Sequence, residues 1–321
     1  MTEKFLLNAQ YLDPEAGVKS APEQVSGDID EGIWLHVNVA EPDARERLAK
    51  AAPYMDAAMI DALCAGDTRP HVEDFGKEYL VILRGMNLNP QADPEDMVSL
   101  RIWSDGKHII SAERRPVMAV RKLIERLGAS EKPVTASEII IGLATQLIEN
   151  MGGPLGSLLE EIDELEIATI EGDPKALRLR LNDLRERVLY IRRYLVPMKQ
   201  AVAQLQSLAQ DWLGEKATRR LRQAGDNLAR HIEDLDAARE QLQFQHEEMV
   251  AASSDKLNRN MYSLSIVAAI FLPLGFLTGL LGINVGGMPG AEDGTAFWWV
   301  AGGCAAIVLG QILYFRRGGW F

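Results

Sequence analysis

The sequence predicts a chain in three parts: an α/β domain at the N-terminus, a long α-helical stalk, and two C-terminal helices that cross a membrane. Two uncharged runs, at residues 261–281 and 296–315, carry the membrane prediction. Each run spans roughly 30 Å as a helix, which is the thickness of a bilayer's hydrocarbon core. Upstream of them, strand-like and helical patterns alternate as far as about residue 150 and then become helical throughout.

Residues 1–150 are predicted to form a cytoplasmic α/β domain. Apolar runs rich in β-branched and aromatic residues predict four strands, at residues 32–39, 79–84, 98–103 and 108–113. Between the last two runs, Asp105-Gly106 favours a tight hairpin turn. Helices are predicted at residues 117–127, directly after Arg115-Pro116, and at residues 133–150.

Residues 151–260 are predicted to form a stalk of long cytoplasmic helices. Asp173 and Pro174 would cap and open one of these helices, and Pro197 is expected to kink or end it. A second helix is predicted at residues 215–281, roughly 100 Å long and continuous from the stalk into the membrane. Its cytoplasmic part is amphipathic, with apolar residues at helical spacing: Leu221, Leu228, Ile232, Leu235 and Leu242.

The predicted membrane hairpin has four segments: a first span at residues 261–281, a loop at 282–295, a second span at 296–315 and a tail at 316–321. Basic residues flank the hairpin on both sides, and the loop contains none. Both ends of the chain are therefore expected in the cytoplasm and the loop outside. The first ten residues lack the pattern of a signal peptide. We expect a multi-pass protein of the cytoplasmic (inner) membrane.

The cytoplasmic part is strongly acidic. Residues 256–321 carry a net charge of +2, so the whole-chain charge of −12 leaves −14 for residues 1–255. This balance argues against nucleic acid as a partner, because phosphate binding requires a basic surface. It suits the attraction of cations. Cys64 and Cys304 fall in different predicted compartments and cannot form a disulfide within one chain.

The sequence contains no familiar enzymatic signature. It has no P-loop, no Rossmann glycine fingerprint, no metalloprotease HExxH and no recognisable Ser-His-Asp set. We therefore expect a protein that is not an enzyme, that carries no cofactor, and that is not driven by ATP.

Gly282-Ile283-Asn284 closes the first uncharged run. Asn284 offers an amide oxygen and two donors, and a ring of such amides from several copies could hold a hydrated cation. A Gly-x-Asn motif at this place in a C-terminal hairpin resembles the CorA superfamily of divalent metal-ion transporters. Further segments are similar to that superfamily, at residues 269–274, 278–279, 288–289 and 190–193.

The motif departs from most of the superfamily in two places. Ile283 stands where most members have methionine, and Gly290 follows Met288-Pro289 where they usually have glutamate. These residues resemble the ZntB branch, which is associated with zinc. The resemblance implies a funnel-shaped homopentamer in the lipid bilayer. The first span of each copy would line a central pore, and a ring of Asn284 would form the outer selectivity site.

The resemblance also implies that one face of the first span, together with the helical turn before it, lines the pore. This pore face consists of Asn258, Met261, Leu264, Ala268, Leu272, Gly275 and Gly279. Met261, Leu264 and Leu272 would form constrictions that gate by dewetting, while the ion passes largely hydrated. Alternatively, single positions face lipid or a neighbouring helix. The pair Gly275 and Gly279 indicates either close helix contact or the ordinary frequency of glycine in membrane helices.

The sequence shows no dedicated metal cage of protein ligands. The histidines lack HxxxH or HxxH spacing and are each expected to be surface or core residues: His36, His71, His108, His231 and His246. Carboxylates near the ends of the pore could concentrate cations, at Glu247, Glu248, Asp255, Glu292 and Asp293. A solvated helix face is the alternative interpretation of those on the stalk.

The function expected from these features is the uptake of zinc across the cytoplasmic membrane, with or without coupling to protons. Two alternatives stay open. One is a CorA-type channel for magnesium, cobalt or nickel, because a ring of amides around a hydrated ion discriminates only modestly among metals. The other is a membrane-anchored oligomeric scaffold or sensor that transports nothing.

Overall fold

The computed structural model describes residues 4–13, 17–20, 32–66, 68–129, 134–168, 173–208, 215–282 and 294–317. The chain divides into two compact units, Met1–His246 and Glu247–Phe321. The first unit contains a mixed sheet and most of the helices. The second unit contains the C-terminal part of the longest helix together with the last helix.

Seven strands of the described chain form one sheet. They are β1 Leu6–Asp13, β2 Gly17–Ser20, β3 Gly32–Asn38, β4 His71–Asp74, β5 Tyr79–Gly85, β6 Val98–Ser104 and β7 Ile109–Glu113. Their order in the sheet is β2-β1-β3-β7-β6-β5-β4. β3 and β7 are parallel, with Trp34 opposite Ile109, and the other neighbouring strands are antiparallel.

The four predicted strands are confirmed as β3, β5, β6 and β7. The predicted hairpin joins β6 and β7. Gly106 in its turn has a φ of +87°, a conformation that favours glycine. The sequence did not predict β1, β2 and β4. β4 is only four residues long and fully buries only Val72, so its pattern carries little periodic signal.

Eight helices belong to the described part of the chain. They are α1 Ala44–Ala51, α2 Ala57–Cys64, α3 Met118–Gly128, α4 Ala136–Glu149, α5 Gly152–Ala168, α6 Pro174–Leu208, α7 Glu215–Leu281 and α8 Ala296–Arg317. α3 and α4 correspond to the two helices predicted after β7. α4 begins with a capping box, in which Glu138 N donates to Thr135 Oγ1 at 3.3 Å and Thr135 N donates to Glu138 Oε2 at 3.0 Å.

α6 begins at Pro174, as predicted, and runs through Pro197 to Leu208. Of the two outcomes expected at Pro197, a kink or a helix end, the helix end is therefore wrong. Leu195 and Met198, on either side of the proline, are fully buried. Their burial favours a continuous helix and offsets the hydrogen bond that proline cannot donate.

α6 and the part of α7 that precedes residue 247 lie side by side in opposite directions. Polar contacts link them: Gln206 Nε2 donates to Leu221 O at 3.1 Å, Arg185 Nη2 donates to Gln243 Oε1 at 2.9 Å, and Arg192 forms an ion pair with Asp236. The apolar stripe predicted on α7 is buried at every position from Leu221 to Leu242. This burial confirms the amphipathic prediction.

α7 is a single helix of 67 residues, Glu215–Leu281, and this confirms the predicted continuity from the stalk into the first uncharged run. At 1.5 Å per residue it is roughly 100 Å long. Between residues 250 and 265 every side chain is exposed in the single chain. The exposed residues include large apolar ones: Val250, Leu257, Met261 and Leu264.

Candidate ion pathway

α7 and α8 are the two helices of the described chain that are long and apolar enough to cross a membrane. The apolar stretch of neither helix is buried within the chain. Large side chains are exposed on both helices: Phe271, Leu272 and Phe276 on α7, and Phe297, Trp298 and Trp299 on α8. Such an apolar surface requires lipid or other protein copies around it.

Within the unit Glu247–Phe321, one side of α7 packs against α8. Partly buried positions recur every three or four residues on both helices, at Ile266, Ile270, Leu274 and Leu277 on α7 and at Val300, Cys304, Ile307 and Gln311 on α8. Gln311 Nε2 donates a hydrogen bond to Ala269 O at 3.0 Å. This hydrogen bond joins the two apolar helices directly.

The predicted pore face lies on the other side of α7. All seven of its residues are exposed in the single chain, and Met261, Leu264 and Leu272 expose 60%, 70% and 74% of their surface. At 3.6 residues per turn, this face points roughly 175° away from the stripe that packs against α8. α8 therefore leaves uncovered the surface that would have to line a path between copies.

Gly275 and Gly279 do not mediate a close contact within the chain. A methyl group added at either glycine would meet no atom within 4 Å. Of the two interpretations of this pair, close helix contact is thus absent between the described parts of α7 and α8. Contact with a second copy of the chain stays a prediction.

The selectivity motif is described only at its first residue. Gly282 N donates to Thr278 O at 2.9 Å and so continues the hydrogen bonding of the last turn of α7. Ile283 and Asn284, together with the loop carboxylates Glu292 and Asp293, lie outside the described residues. Their predicted roles at the outer end of the pore stay predictions.

The three carboxylates predicted at the cytoplasmic end of the pore are all exposed on α7: Glu247, Glu248 and Asp255. They do not share one side of the helix. At 100° per residue, Glu247 lies within roughly 60° of the direction of the pore face. Glu248 and Asp255 point roughly 125–145° away from that direction. Helical phase therefore favours Glu247 as the carboxylate that could face the pore.

The described residues contain no group of three His, Cys, Asp or Glu side chains arranged to hold a metal ion. Three histidines each lie beside one carboxylate: His36 Nε2 is 3.2 Å from Glu113 Oε2, His71 Nε2 is 3.3 Å from Glu73 Oε1, and His108 Nδ1 is 2.7 Å from Asp105 Oδ2. His231 and His246 lie on α7. A single carboxylate partner is the arrangement of a structural hydrogen bond, whereas a zinc cage uses three or four ligands.

The contact between Gln311 and Ala269 was not anticipated from the sequence. Two signals for it are nevertheless present. Gln311 is a polar residue inside an otherwise apolar run, and Pro273 lies four residues after Ala269 in the other run. Since proline has no N–H to donate, a donor from the neighbouring helix could have been sought at that point.

Two comparisons of sequence place the chain among known proteins. The family model described as CorA-like Mg²⁺ transporter protein matches residues 30–317. The divalent cation transporter CmaX of Pseudomonas aeruginosa is 37% identical over 294 residues, which cover 91% of this chain and 88% of that protein. The zinc transport protein ZntB of Pectobacterium atrosepticum is 29% identical over 315 residues, covering 98% of this chain and 95% of that protein.

Solved structures agree with the sequence matches. The structure of full-length CmaX superposes with a TM-score of 0.81 at 34% identity, covering 99% of this chain and 98% of that one. The CorA magnesium transporter of Methanocaldococcus jannaschii also gives a TM-score of 0.81, at 18% identity and with 98% and 99% of the two chains covered, and it supports the fold alone. The mixed sheet, the long helix, the two apolar C-terminal helices and the family match together establish that the chain belongs to the CorA-like transporter family.

Proposed function

We propose that the protein is a divalent-cation transporter of the cytoplasmic (inner) membrane. In this proposal it acts as a homopentamer, and the apolar part of α7 from each copy lines a central pore. The observation that carries the proposal is the pore face of α7, which is exposed along its whole length on the side opposite α8. Membership of the CorA-like family supports it independently.

The exposure of α7 supports the assembly of several copies. A helical stretch whose side chains are all exposed, as at residues 250–265 in the single chain, gains little stability from tertiary packing. Val250, Leu257 and Leu264 expose 55%, 63% and 70% of their surface there. Neighbouring copies would cover these side chains, and a single two-helix hairpin is too small to enclose a water-filled path.

The chemistry of the proposed pore suits a hydrated ion. Asn258 supplies an amide near the cytoplasmic end, and Asn284 supplies one at the outer end. Between them the pore face carries apolar and small residues, so it offers no ligands that would replace water around the ion. Met261, Leu264 and Leu272 would close the path by dewetting when the helices move together.

Zinc is the cargo that we propose, and import is the direction. The name of the ZntB relative and the resemblance of Ile283 and Gly290 to the ZntB branch support zinc. An inside-negative potential contributes about 2.3 kcal/mol per elementary charge for each 100 mV, so it favours the entry of a divalent cation without ATP. A proton gradient could add to this driving force. Magnesium is the alternative cargo, favoured by the description of the family model.

The topology that we propose places both termini in the cytoplasm and residues 282–295 outside. Lys256 and Arg259 precede the first span, Arg316 and Arg317 follow the second, and the loop carries Glu292 and Asp293. This distribution obeys the positive-inside rule. The acidic unit Met1–His246 would then face the cytoplasm.

Flux of metal into proteoliposomes tests the proposal. Purified full-length protein is reconstituted with a zinc-sensitive dye inside the vesicles, with and without a proton gradient and with excess magnesium as competitor. Asn284→Ala removes the proposed outer amide ring, and Asn260→Ala makes the same change outside the proposed pore face. Zinc flux that survives magnesium, collapses in Asn284→Ala and persists in Asn260→Ala is the expected result.

Other results would change the conclusion in defined ways. Strong inhibition by magnesium, together with direct magnesium flux, would make the protein a CorA-type magnesium channel. Dependence of zinc flux on the proton gradient would establish coupling. A folded oligomer that passes neither metal would refute transport and leave an oligomeric scaffold or sensor.

A further inference from the structure

The apolar helices are joined by a hydrogen bond from a side chain to a backbone carbonyl. Gln311 Nε2 of α8 donates to Ala269 O of α7 at 3.0 Å. Both residues lie within uncharged runs. Side-chain amides are costly in hydrocarbon unless they are hydrogen-bonded. The glutamine therefore needs a structural reason to be there.

Pro273 supplies that reason. In an α-helix the carbonyl of Ala269 would accept a hydrogen bond from the N–H four residues later. That residue is Pro273, which has no N–H. The carbonyl of Ala269 is thus left without its helical donor in a region where unsatisfied backbone groups are costly. Gln311 provides the missing donor from the neighbouring helix.

The hydrogen bond lies at the level of the proposed pore constriction. Pro273 directly follows Leu272, which belongs to the pore face, and Gly275 of the same face comes two residues later. Proline is the usual site at which a helix bends. A bend at Pro273 would change how far Leu272 projects toward the pore axis. The hydrogen bond from Gln311 of α8 contacts α7 at Ala269, one helical turn before this proline.

We propose that Gln311 is a positioning residue that holds α7 at its proline and so sets the width of the pore at Leu272. The proposal rests on the proposed transport function. Gln311 does not touch the ion in this proposal, since it lies on the partly buried stripe of α8 that packs against the side of α7 opposite the pore face. It acts through the carbonyl of Ala269.

A double-mutant cycle tests this role. Gln311→Leu removes the donor, and Pro273→Ala restores the N–H that Ala269 O would accept in an uninterrupted helix. If Gln311 compensates for the proline, its loss is harmful only when Pro273 is present. We expect Gln311→Leu to lower metal flux per reconstituted oligomer roughly three- to tenfold, the factor associated with one hydrogen bond between membrane helices. In the Pro273→Ala background, the same change should alter flux by less than about twofold.

Ser263→Ala is the matched control. Ser263 Oγ donates to Arg259 O at 2.9 Å within α7, so this variant also removes a hydrogen bond from a side chain to a carbonyl. The carbonyl of Arg259 keeps its own helical donor, the N–H of Ser263. We expect flux in Ser263→Ala to match the wild type.

Flux is divided by the number of intact oligomers, counted by size-exclusion chromatography in detergent, and the melting temperature of each variant is measured in parallel. A merely structural role would lower the melting temperature and the yield of oligomers and leave flux per oligomer unchanged, and this result would overturn the proposal. Equal losses with and without Pro273 would also overturn it. If the wild type carried no metal, both the transport function and this positioning role would fail, whereas a normal wild type with an unaffected Gln311→Leu variant would refute the positioning role alone.

Discussion

His36 and Glu113 form a buried pair between the two parallel strands at the centre of the sheet, with His36 Nε2 3.2 Å from Glu113 Oε2. The pair belongs to a longer chain of hydrogen bonds. Trp34 Nε1 donates to Ser111 Oγ at 2.8 Å, and that hydroxyl lies 2.9 Å from His36 Nδ1. Glu113 Oε2 also accepts from Val117 N at 2.6 Å, at the start of α3. One carboxylate thus satisfies an imidazole and a helix N-terminus together.

Replacement of that carboxylate should destabilise the unit Met1–His246. In Glu113→Ala, His36 and the N–H of Val117 would both lose a buried partner. We expect a cost of about 3 kcal/mol, seen as a lower melting temperature of the full-length protein in detergent. The control is Glu73→Ala, because Glu73 pairs with His71 at the surface and exposed pairs contribute little. A melting temperature equally lowered in both variants would contradict the explanation.

The stability of the stalk should decrease as the medium becomes moderately acidic. Burial lowers the pKa of His231 below its ordinary value, and Arg230 adds to this effect while Asp234 opposes it. Because the folded pKa is lower, the unfolded chain binds more protons in the window between the folded pKa and about 6.5. Stability therefore rises with pH through that window. Melting temperature measured from pH 7.5 down to pH 5 should fall less steeply in His231→Gln.

Asp234→Asn should have the opposite effect to His231→Gln and make the melting temperature more sensitive to acid. The carboxylate of Asp234 raises the pKa of His231 and so partly offsets the effect of burial. Without it, the folded pKa should fall further and the loss of stability on acidification should steepen. Identical pH profiles for the wild type and both variants would show that His231 contributes nothing to the acid sensitivity.

The strands that were predicted from the sequence differ in burial and in pairing from the strands that were missed. β3, β5, β6 and β7 are almost wholly buried, and their sequences are rich in apolar residues. β4 has two exposed carboxylates in four residues. β1 and β2 pair with each other at one edge of the sheet, and β1 also pairs with a partner farther along the chain, β3. Local periodicity has no access to such partners.

The candidate site was predictable to different degrees. The continuity of α7 was predicted because no proline occurs from Glu215 as far as Pro273, and the pore face was predicted from resemblance to a family. The contact of Gln311 with Ala269 could not be read from periodicity, because periodicity concerns side chains and this contact satisfies a backbone carbonyl. The difference in direction between Glu247 and the other two carboxylates, Glu248 and Asp255, follows from helical periodicity alone. It becomes clear once α7 is known to be unbroken.

A bulky side chain at Gly279 should block the proposed pore without disturbing the chain. An added methyl group there meets no atom within 4 Å, so Gly279→Leu should not disrupt packing between α7 and α8. If Gly279 lines the pore, several copies of leucine would narrow it together. We expect metal flux to fall by more than about tenfold, because permeation drops steeply when an apolar constriction tightens.

Gly303→Leu is the control for this prediction. Gly303 lies on α8 and also has no neighbour within 4 Å of an added methyl group. The same gain in volume on the non-lining helix should leave flux close to that of the wild type. Equal inhibition by both variants would indicate a general effect on the membrane helices and would argue against a pore at Gly279.

Glu247 and Glu248 allow a test of the electrostatic role of this end of the proposed pore, because they are neighbours with the same charge whose side chains point about 100° apart around α7. Glu247 points toward the side of the pore face, and Glu248 points away from it. A carboxylate ring facing the pore raises the local concentration of cations, and salt screens this effect. We expect Glu247→Gln to lower metal flux about two- to threefold at low ionic strength and by less at high salt. Glu248→Gln should have a smaller effect, and a larger loss in Glu248→Gln would mean that the phase assigned to the pore face of α7 is wrong.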